Sequence, residues 1–180
     1  PALSEMAKRC YCDTFGTLYR ASDLAAFLNK TFGDEGLPSH LSDPAYRVRL
    51  AVDDGAIAGF AKLGPVAFPG DWGARTAELH QLYVLGPWQG EGVAPALMDW
   101  AIATARAGGA DRLVVSMHNI ESDLMNQRAR LATSAKDKVA MNTEVRLLRH
   151  LEAHVADRYP VMVCTEADAR ALNPKRGTIV

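Results

Sequence analysis

The stretch Ala77–Met117 constrains this chain more than any other. It holds an apolar run, Glu78-Leu79-His80-Gln81-Leu82-Tyr83-Val84-Leu85, followed by the turn Pro87-Trp88-Gln89-Gly90-Glu91-Gly92-Val93-Ala94. Leu79, Leu82, Val84 and Leu85, with Tyr83 among them, read as a strand at least half buried. After the turn, Pro95–Gly109 places Leu97, Met98, Ala101, Ile102 and Ala105 at helical spacing, which predicts a helix with one apolar face. Pro95 suits the first helical turn and Gly108-Gly109 the stop. The short apolar run Arg112–Met117 then supplies a second strand, parallel to the first.

A glycine turn that opens a helix has a physical use. The first backbone N–H groups of a helix lack partners within it, and the helix dipole adds partial positive charge there. Glycines at 90 and 92 remove the side chains that would hold an anion away, so a phosphate or pyrophosphate is a natural guest. The competing account is that these glycines only make a tight turn.

Composition sets the outer limits. At 180 residues the chain predicts a single domain, or one domain with an appendage, and 48% apolar residues suffice for a sizeable core. A net charge of -1 gives no global pull toward nucleic acid or an anionic membrane. No apolar run is long enough to span a bilayer, and the first ten residues lack a signal-peptide pattern. Cys10, Cys12 and Cys164 form no disulfide framework, which argues for a reducing, cytoplasmic setting.

Before the central unit, residues 3 to 15 predict a helix with Leu3, Met6, Ala7 and Cys10 on one side, capped near Ser4 and ended by Gly16. Ser22-Asp23 open a second helix with Leu24, Phe27, Leu28 and Phe32 as its core face. Cys10-x-Cys12 has its side chains pointing apart on a helix, so packing explains it better than metal. Residues 33 to 45 read as a loop or short helical turn. Two strands joined at Asp53-Asp54-Gly55 follow, because Asp-Gly favours a tight hairpin. The loop from residue 64 to 75 offers Phe68, Asp71 and Trp72 as a ligand rim or, alternatively, a hydrophobic plug over the sheet edge.

Residues 118 to 157 differ. They contain no glycine or proline and predict two polar helices, roughly 121 to 134 and 137 to 156. Val145, Leu148, Leu151 and Val155 form the apolar stripe of the second. His150 and His154, with Glu152 between them, match a metal pair in spacing only, and a solvated face explains them better. Tyr159–Cys164 predicts a last short strand, and the tail from Ala171 reads as loose.

The turn Gln89-Gly90-Glu91-Gly92-Val93-Ala94 resembles the pyrophosphate loop Q/R-x-x-G-x-G/A of the GNAT superfamily of acyl-CoA-dependent N-acyltransferases. The preceding strand, the Trp88 lead-in and the following helix strengthen the match. Residues 3 to 117 carry it, and they look most like bacterial spermidine/spermine-type acetyltransferases. The resemblance implies a mixed α/β fold: a central mixed sheet flanked by helices, with two parallel strands splayed apart at the CoA site. The 1-180 chain would be one such domain, with 118-157 a divergent helical segment.

The resemblance also implies roles. Acetyl-CoA would be the co-substrate, with no metal. Leu82, Tyr83 and Val84 would lie along the pantetheine arm, and Gln89, Gly90, Glu91, Gly92, Val93 and Ala94 would hold the pyrophosphate. Glu78 would be the general base, His80 the second candidate, and the Leu82 N–H the oxyanion donor. The acceptor would be a primary amine of a small molecule, polyamines among them, or of a peptide. Asp34, Glu35 and Asp71 would suit a cationic acceptor. A homodimer through the C-terminal strands is a further family trait.

One departure stands out. The family continues N-x-x-A-x-x-F-Y-x-x-x-G-F, in which the Asn contacts CoA and the Tyr protonates the leaving thiolate. Here Asn126 and Ala129 begin that pattern, but Ala132 and Thr133 stand at the Phe-Tyr positions, and the next glycine is Gly177. A GNAT-fold protein that binds CoA and transfers little is therefore the alternative reading. A frame change in the coding DNA near residue 130 would account for such an ending. A dinucleotide-binding oxidoreductase fails at the third glycine position, which is Pro95, and for want of an acid after the next strand. A nucleic-acid module lacks a basic patch interleaved with aromatics.

Overall fold

The computed structural model describes residues 1–68, 70–115, 121–158, 161–163 and 177–179. The chain forms two compact units, Pro1–Ser116 and Met117–Val180.

In the first unit, helices α1 (Ala2–Phe15), α2 (Ala21–Phe32) and α3 (Leu37–Ser42) precede a four-stranded sheet. The strands β1 (Arg47–Asp53), β2 (Ala56–Gly64), β3 (Thr76–Val84) and β4 (Arg112–Val115) lie in sequence order. The first two pairings are antiparallel and the third is parallel. The parallel connection runs through α4 (Val93–Ala107). This is the mixed α/β architecture expected from the residues.

Local chemistry explains the elements. The β1–β2 turn places Asp54 at φ 45° and Gly55 at φ 80°, the left-handed pair that a two-residue hairpin favours. α4 is entered from Gly92, which is left-handed, and is followed by Gly108. Two start signals in the sequence fall elsewhere. Ser4 sits buried inside α1, which begins at Ala2, and α2 is entered from Arg20, with Ser22 and Asp23 within its first turn. No side chain caps either helix.

The sheet buries both faces. On one, α1, Phe32 of α2 and Leu37 pack with Phe60 and Leu85. On the other, Leu97, Ala101 and Ala105 of α4 cover Ala61, Leu63, Leu79 and Val84. Trp88 touches both groups, and its Nε1 donates to Asp53 Oδ2 at 2.9 Å, tying the entrance of the glycine turn to the hairpin.

One irregularity decides the site. Lys62 lies opposite Gln81 while Leu63 lies opposite Leu79, so His80 is an extra residue in β3. The run itself demands this. Leu79 and Leu82 are three apart, an odd spacing that a period-2 strand cannot keep on one face. The bulge resets the alternation. Leu79, Leu82 and Val84 now share the α4 face, and Tyr83 packs on the α1 face.

The second unit contains α5 (Glu121–Leu131) and α6 (Ala135–Arg158), close to the predicted helices, and a parallel pair β5 (Val161–Val163) and β6 (Gly177–Ile179). The tail read as loose thus supplies a strand at 177–179, because its Thr178 and Ile179 find a ladder partner only through a distant segment. Val145 of the predicted α6 stripe is buried and Leu148 half-buried; the side chains of Leu151 and Val155 lie outside the described residues. His150 is exposed, and the His154 side chain also lies outside.

Candidate active site

The site grows from the free edge of β3. The Leu85 N–H donates to Ala58 O at 2.9 Å, and Val84 stands opposite Gly59. Along an antiparallel pair the hydrogen-bonded positions alternate. Tyr83 therefore bonds back to β2, whereas Leu82 and Val84 turn their N–H and C=O groups to the opposite edge. The described pairing with β4 stops at Leu79 opposite Val115, and β3 runs on to Val84. The edge beyond Leu79 thus presents the backbone groups of Leu82 and Val84 without a ladder partner among the described residues. Tyr83 does not join them. Its ring packs against Phe32 and Phe60, and burial pushes its hydroxyl up to about 12.

The carbonyl of Val84 is already engaged. It accepts Gln89 Nε2 at 2.9 Å and the Cys10 thiol at 3.5 Å. Gln89, the first residue of the turn, therefore ties the turn to the strand end through its side chain. Burial raises the Cys10 thiol, which keeps it protonated as a donor.

The turn is built for an anion. Gly90 and Gly92 sit at φ 86° and 83°, conformations that glycine adopts without strain. A Cβ added to either would meet nothing within 4 Å, so the space above them is open. The Glu91 N–H reaches Trp88 O at 3.4 Å and Ala96 reaches Gly92 O at 3.2 Å. No acceptor among the described residues meets the N–H of Gly90, Gly92, Val93 or Ala94. Glu91 is exposed and points no charge into the core. Gly59 lets α4 come close: a Cβ there would meet Val93 Cγ1 at 3.3 Å.

The two titratable candidates on β3 are in contact. Glu78 is buried, 3% exposed, and its Oε1 lies 3.2 Å from His80 Nδ1. Glu78 Oε2 accepts the Ala67 N–H at 2.7 Å, and His80 Nε2 lies 2.9 Å from Pro65 O. The loop after β2 is thus fastened at two points to this pair. Both ring nitrogens of His80 face oxygen acceptors, so the Glu78 contact is a hydrogen bond only while one further proton sits between Nδ1 and Oε1. Burial lowers the His80 imidazole most, nearby Lys62 lowers it further, and Glu78 works the other way.

Around them stand residues the sequence reading did not select. Lys62 is buried, and its Nζ lies 3.1 Å from His40 Nδ1 and 5.5 Å from the Tyr46 ring centroid. Tyr46 stacks on His40 at 4.2 Å and reaches His80 at 5.6 Å. Gly64 has no side chain because Tyr46 occupies that space. Gln81 is buried too, and its Oε1 has no hydrogen-bond partner among the described residues. A signal existed for Lys62: it follows Phe60 by two in an apolar strand, so it had to face inward.

The other expected residues are dispersed. Phe68 and Trp72 line a hollow of ≈ 300 Å³ in the loop after β2, where Trp72 Nε1 donates to Phe68 O at 3.2 Å. Asp71, exposed, accepts the Gly73 N–H, and Asp34 and Glu35 are exposed. Asn126 is a half-buried residue of α5, in the second unit. Among the described residues there is no cluster of His, Cys, Asp or Glu that could hold a metal, and no helix long and apolar enough to cross a membrane.

Comparison with known proteins bears on the family and the fold. Uncharacterised N-acetyltransferases of Mycobacterium bovis and Mycobacterium tuberculosis are each 34% identical over 106 residues, covering 59% of this chain and 61% of theirs. The chain thus spans about three fifths of the length of these curated relatives. The crystal structure of a PaiA N-acetyltransferase from Thermoplasma acidophilum, in complex with coenzyme A, superimposes with a TM-score of 0.51 at 20% identity, over 60% of this chain and 66% of that one. The model of the acetyltransferase (GNAT) family matches residues 3–129, which contain the whole sheet, the glycine turn and α4, and the chain belongs to that family.

Proposed function

We propose that the chain is an acetyl-CoA-dependent N-acetyltransferase acting on a primary amine of a small molecule, such as a polyamine, or of a peptide. The observation that carries this reading is the open glycine turn at the end of a free strand edge. Among the described residues no acceptor meets the N–H groups of Gly90, Gly92, Val93 and Ala94, and a Cβ at either glycine would meet nothing within 4 Å. That donor set suits a pyrophosphate. The edge groups of Leu82 and the Val84 N–H suit an extended amide-bearing arm beside it, while the Val84 carbonyl is held by Gln89 and Cys10.

Acetyl-CoA would supply the acetyl group as a thioester. The acceptor nitrogen attacks the carbonyl carbon, the C–N bond forms, the C–S bond breaks, and the thiolate leaves with CoA and becomes the thiol by taking up the second proton that the nitrogen sheds. The Leu82 N–H is the donor for the developing oxyanion. The Glu78–His80 pair, without its shared proton, takes the proton of the acceptor's ammonium, through water because Glu78 is 3% exposed. A homodimer is proposed on family likeness alone, and a role for Asn126 on its place in the family pattern.

A second reading is favoured by one specific observation. Ala132 and Thr133 stand where the family has Phe-Tyr, so the position that protonates the thiolate carries a short aliphatic hydroxyl, a far weaker acid than a phenol. In that reading the chain binds CoA and transfers little. Reading the coding DNA in its other frames past residue 130 tests the origin of this ending: an F-Y-x-x-x-G-F pattern supports a frame change, and its absence ends that idea.

Calorimetry with acetyl-CoA tests the shared premise. Binding on the micromolar scale, roughly -8 kcal/mol, is expected, and it disappears in Gly92→Glu. That substitution forces a side chain into φ 83° and adds negative charge to the cradle. Absence of heat with the unchanged protein overturns both readings. Heat without turnover on small amines selects the second.

A further inference from the structure

The Glu78–His80 pair has a neighbour with no assigned task. Lys62 is 7% exposed, yet among the described residues no carboxylate lies within ion-pair distance of its ammonium. Among the described residues its one hydrogen-bond partner is His40 Nδ1 at 3.1 Å. An ammonium buried with so little compensation is costly, and a methionine of similar length would pack there without that cost. The surroundings hold it in place. His40 from α3 stacks on Tyr46, the Lys62 Nζ lies over the Tyr46 ring, and the same ring contacts His80. The bulge at His80 makes this assembly by bringing Glu78, His80 and Gln81 to the face that Lys62 occupies.

We propose that Lys62 is a positioning residue whose ammonium, pinned between His40 and Tyr46, sets how tightly the Glu78–His80 pair holds its shared proton. The inference rests on the reading of that pair as the proton acceptor. The pair accepts a proton from the acceptor only once it has released the one between Nδ1 and Oε1. A fixed positive charge beside it disfavours that proton, so the pair is empty, and competent, at a lower pH. The groups that face the pair are Lys62 from β2, Tyr46 before β1 and His40 from α3, with Asp43 acting on His40 from the end of α3. Of these, Lys62 carries the charge. Burial lowers its own pKa, whereas Glu78 raises it and so supports the charged form.

Nitrogen-detected titration of the imidazoles in the full chain is the test, because it needs no turnover. In Lys62→Met the His80 midpoint rises by about one pH unit, the order expected for removing a single charge several ångströms away. Lys62→Arg, which keeps the charge, restores it. If Lys62→Met does not fold, His40→Ala, which frees the ammonium from its hydrogen-bond partner, gives a smaller rise in the same direction. A midpoint that stays put in folded Lys62→Met overturns the proposal. So does an equal rise in the Met and Arg variants, which marks lost packing in place of lost charge. In turnover assays the acidic limb of the pH–rate profile of Lys62→Met moves upward with the His80 midpoint. If the midpoint moves but the unchanged chain transfers no acetyl group, Lys62 keeps its role toward the pair and the proposed activity falls.

Discussion

The two units of this chain bury apolar surface in different ways. Pro1–Ser116 uses a sheet, whose two faces take helices independently, so Phe60 and Leu79 are sealed on opposite sides of the same strands. In Met117–Val180, α5 and α6 bury Ala129 and Val145, while Leu131, Val139 and Leu147 stay 78%, 69% and 62% exposed. A helix in a pair covers only a stripe, and the rest of its circumference faces water. A sheet covered on both faces has no such waste. The lesson concerns function as well. Among the described residues, the buried carboxylate, the inward lysine and the bulge all lie in the first unit, against its doubly covered sheet.

That contrast is open to breakage by substitution. Phe60→Ala should cost about 3–5 kcal/mol, since the side chain is fully buried between α1 and the sheet. Val145→Ala should cost about 1–2 kcal/mol, close to the transfer term alone. Urea unfolding of both variants measures the difference, and comparable losses would mean the second unit has a core as demanding as the first. Glu78→Gln keeps the shape and an acceptor for the Ala67 N–H but removes the base. Acetyl transfer should fall about 10²–10⁴-fold with CoA affinity unchanged in calorimetry. A weaker effect would shift the proton-accepting role elsewhere on the face.

Acid should also act on the first unit. Burial holds the His40 and His80 imidazoles below their ordinary range. Below about pH 6.5 the unfolded chain then binds more protons than the folded one. Stability is therefore intact above about 6.5 and is lost as pH falls toward the folded values. Thermal melts across that window should show a declining Tm, and His40→Ala should flatten the slope. The smallest effect belongs to the exposed apolar residues of α6. Leu147→Gln should change stability by no more than about 0.5 kcal/mol. A large loss would show that this residue is covered in solution.

Much of the fold was legible before any coordinates. Asp54-Gly55 announced the hairpin, Gly92 and Gly108 bracketed α4, and the apolar spacing of Leu97, Ala101 and Ala105 named the face that packs. Helix starts were less so, because α1 and α2 begin without side-chain caps. The strand at 177–179 was missed because three residues carry almost no local preference and pair with a segment 16 positions away, Val161 with Gly177. Of the candidate site, the turn and Glu78 were readable as motif positions. The inward face of Lys62 followed from its spacing to Phe60, but its meeting with His40 and Tyr46 did not, since the three come from separate segments.

By itself, then, the sequence determined the glycine turn, the strand before it and the helix after it, because glycine conformations and apolar periods are local properties. It even contained the reason for the bulge, in the odd spacing of Leu79 and Leu82. Only the tertiary structure decided what the bulge is for. Burying Leu79, Leu82 and Val84 under α4 left His80 over as the extra residue, and that shift set Glu78, His80 and Lys62 on one face. The distances among those three depend on register and packing between strands, which no single stretch of chain encodes.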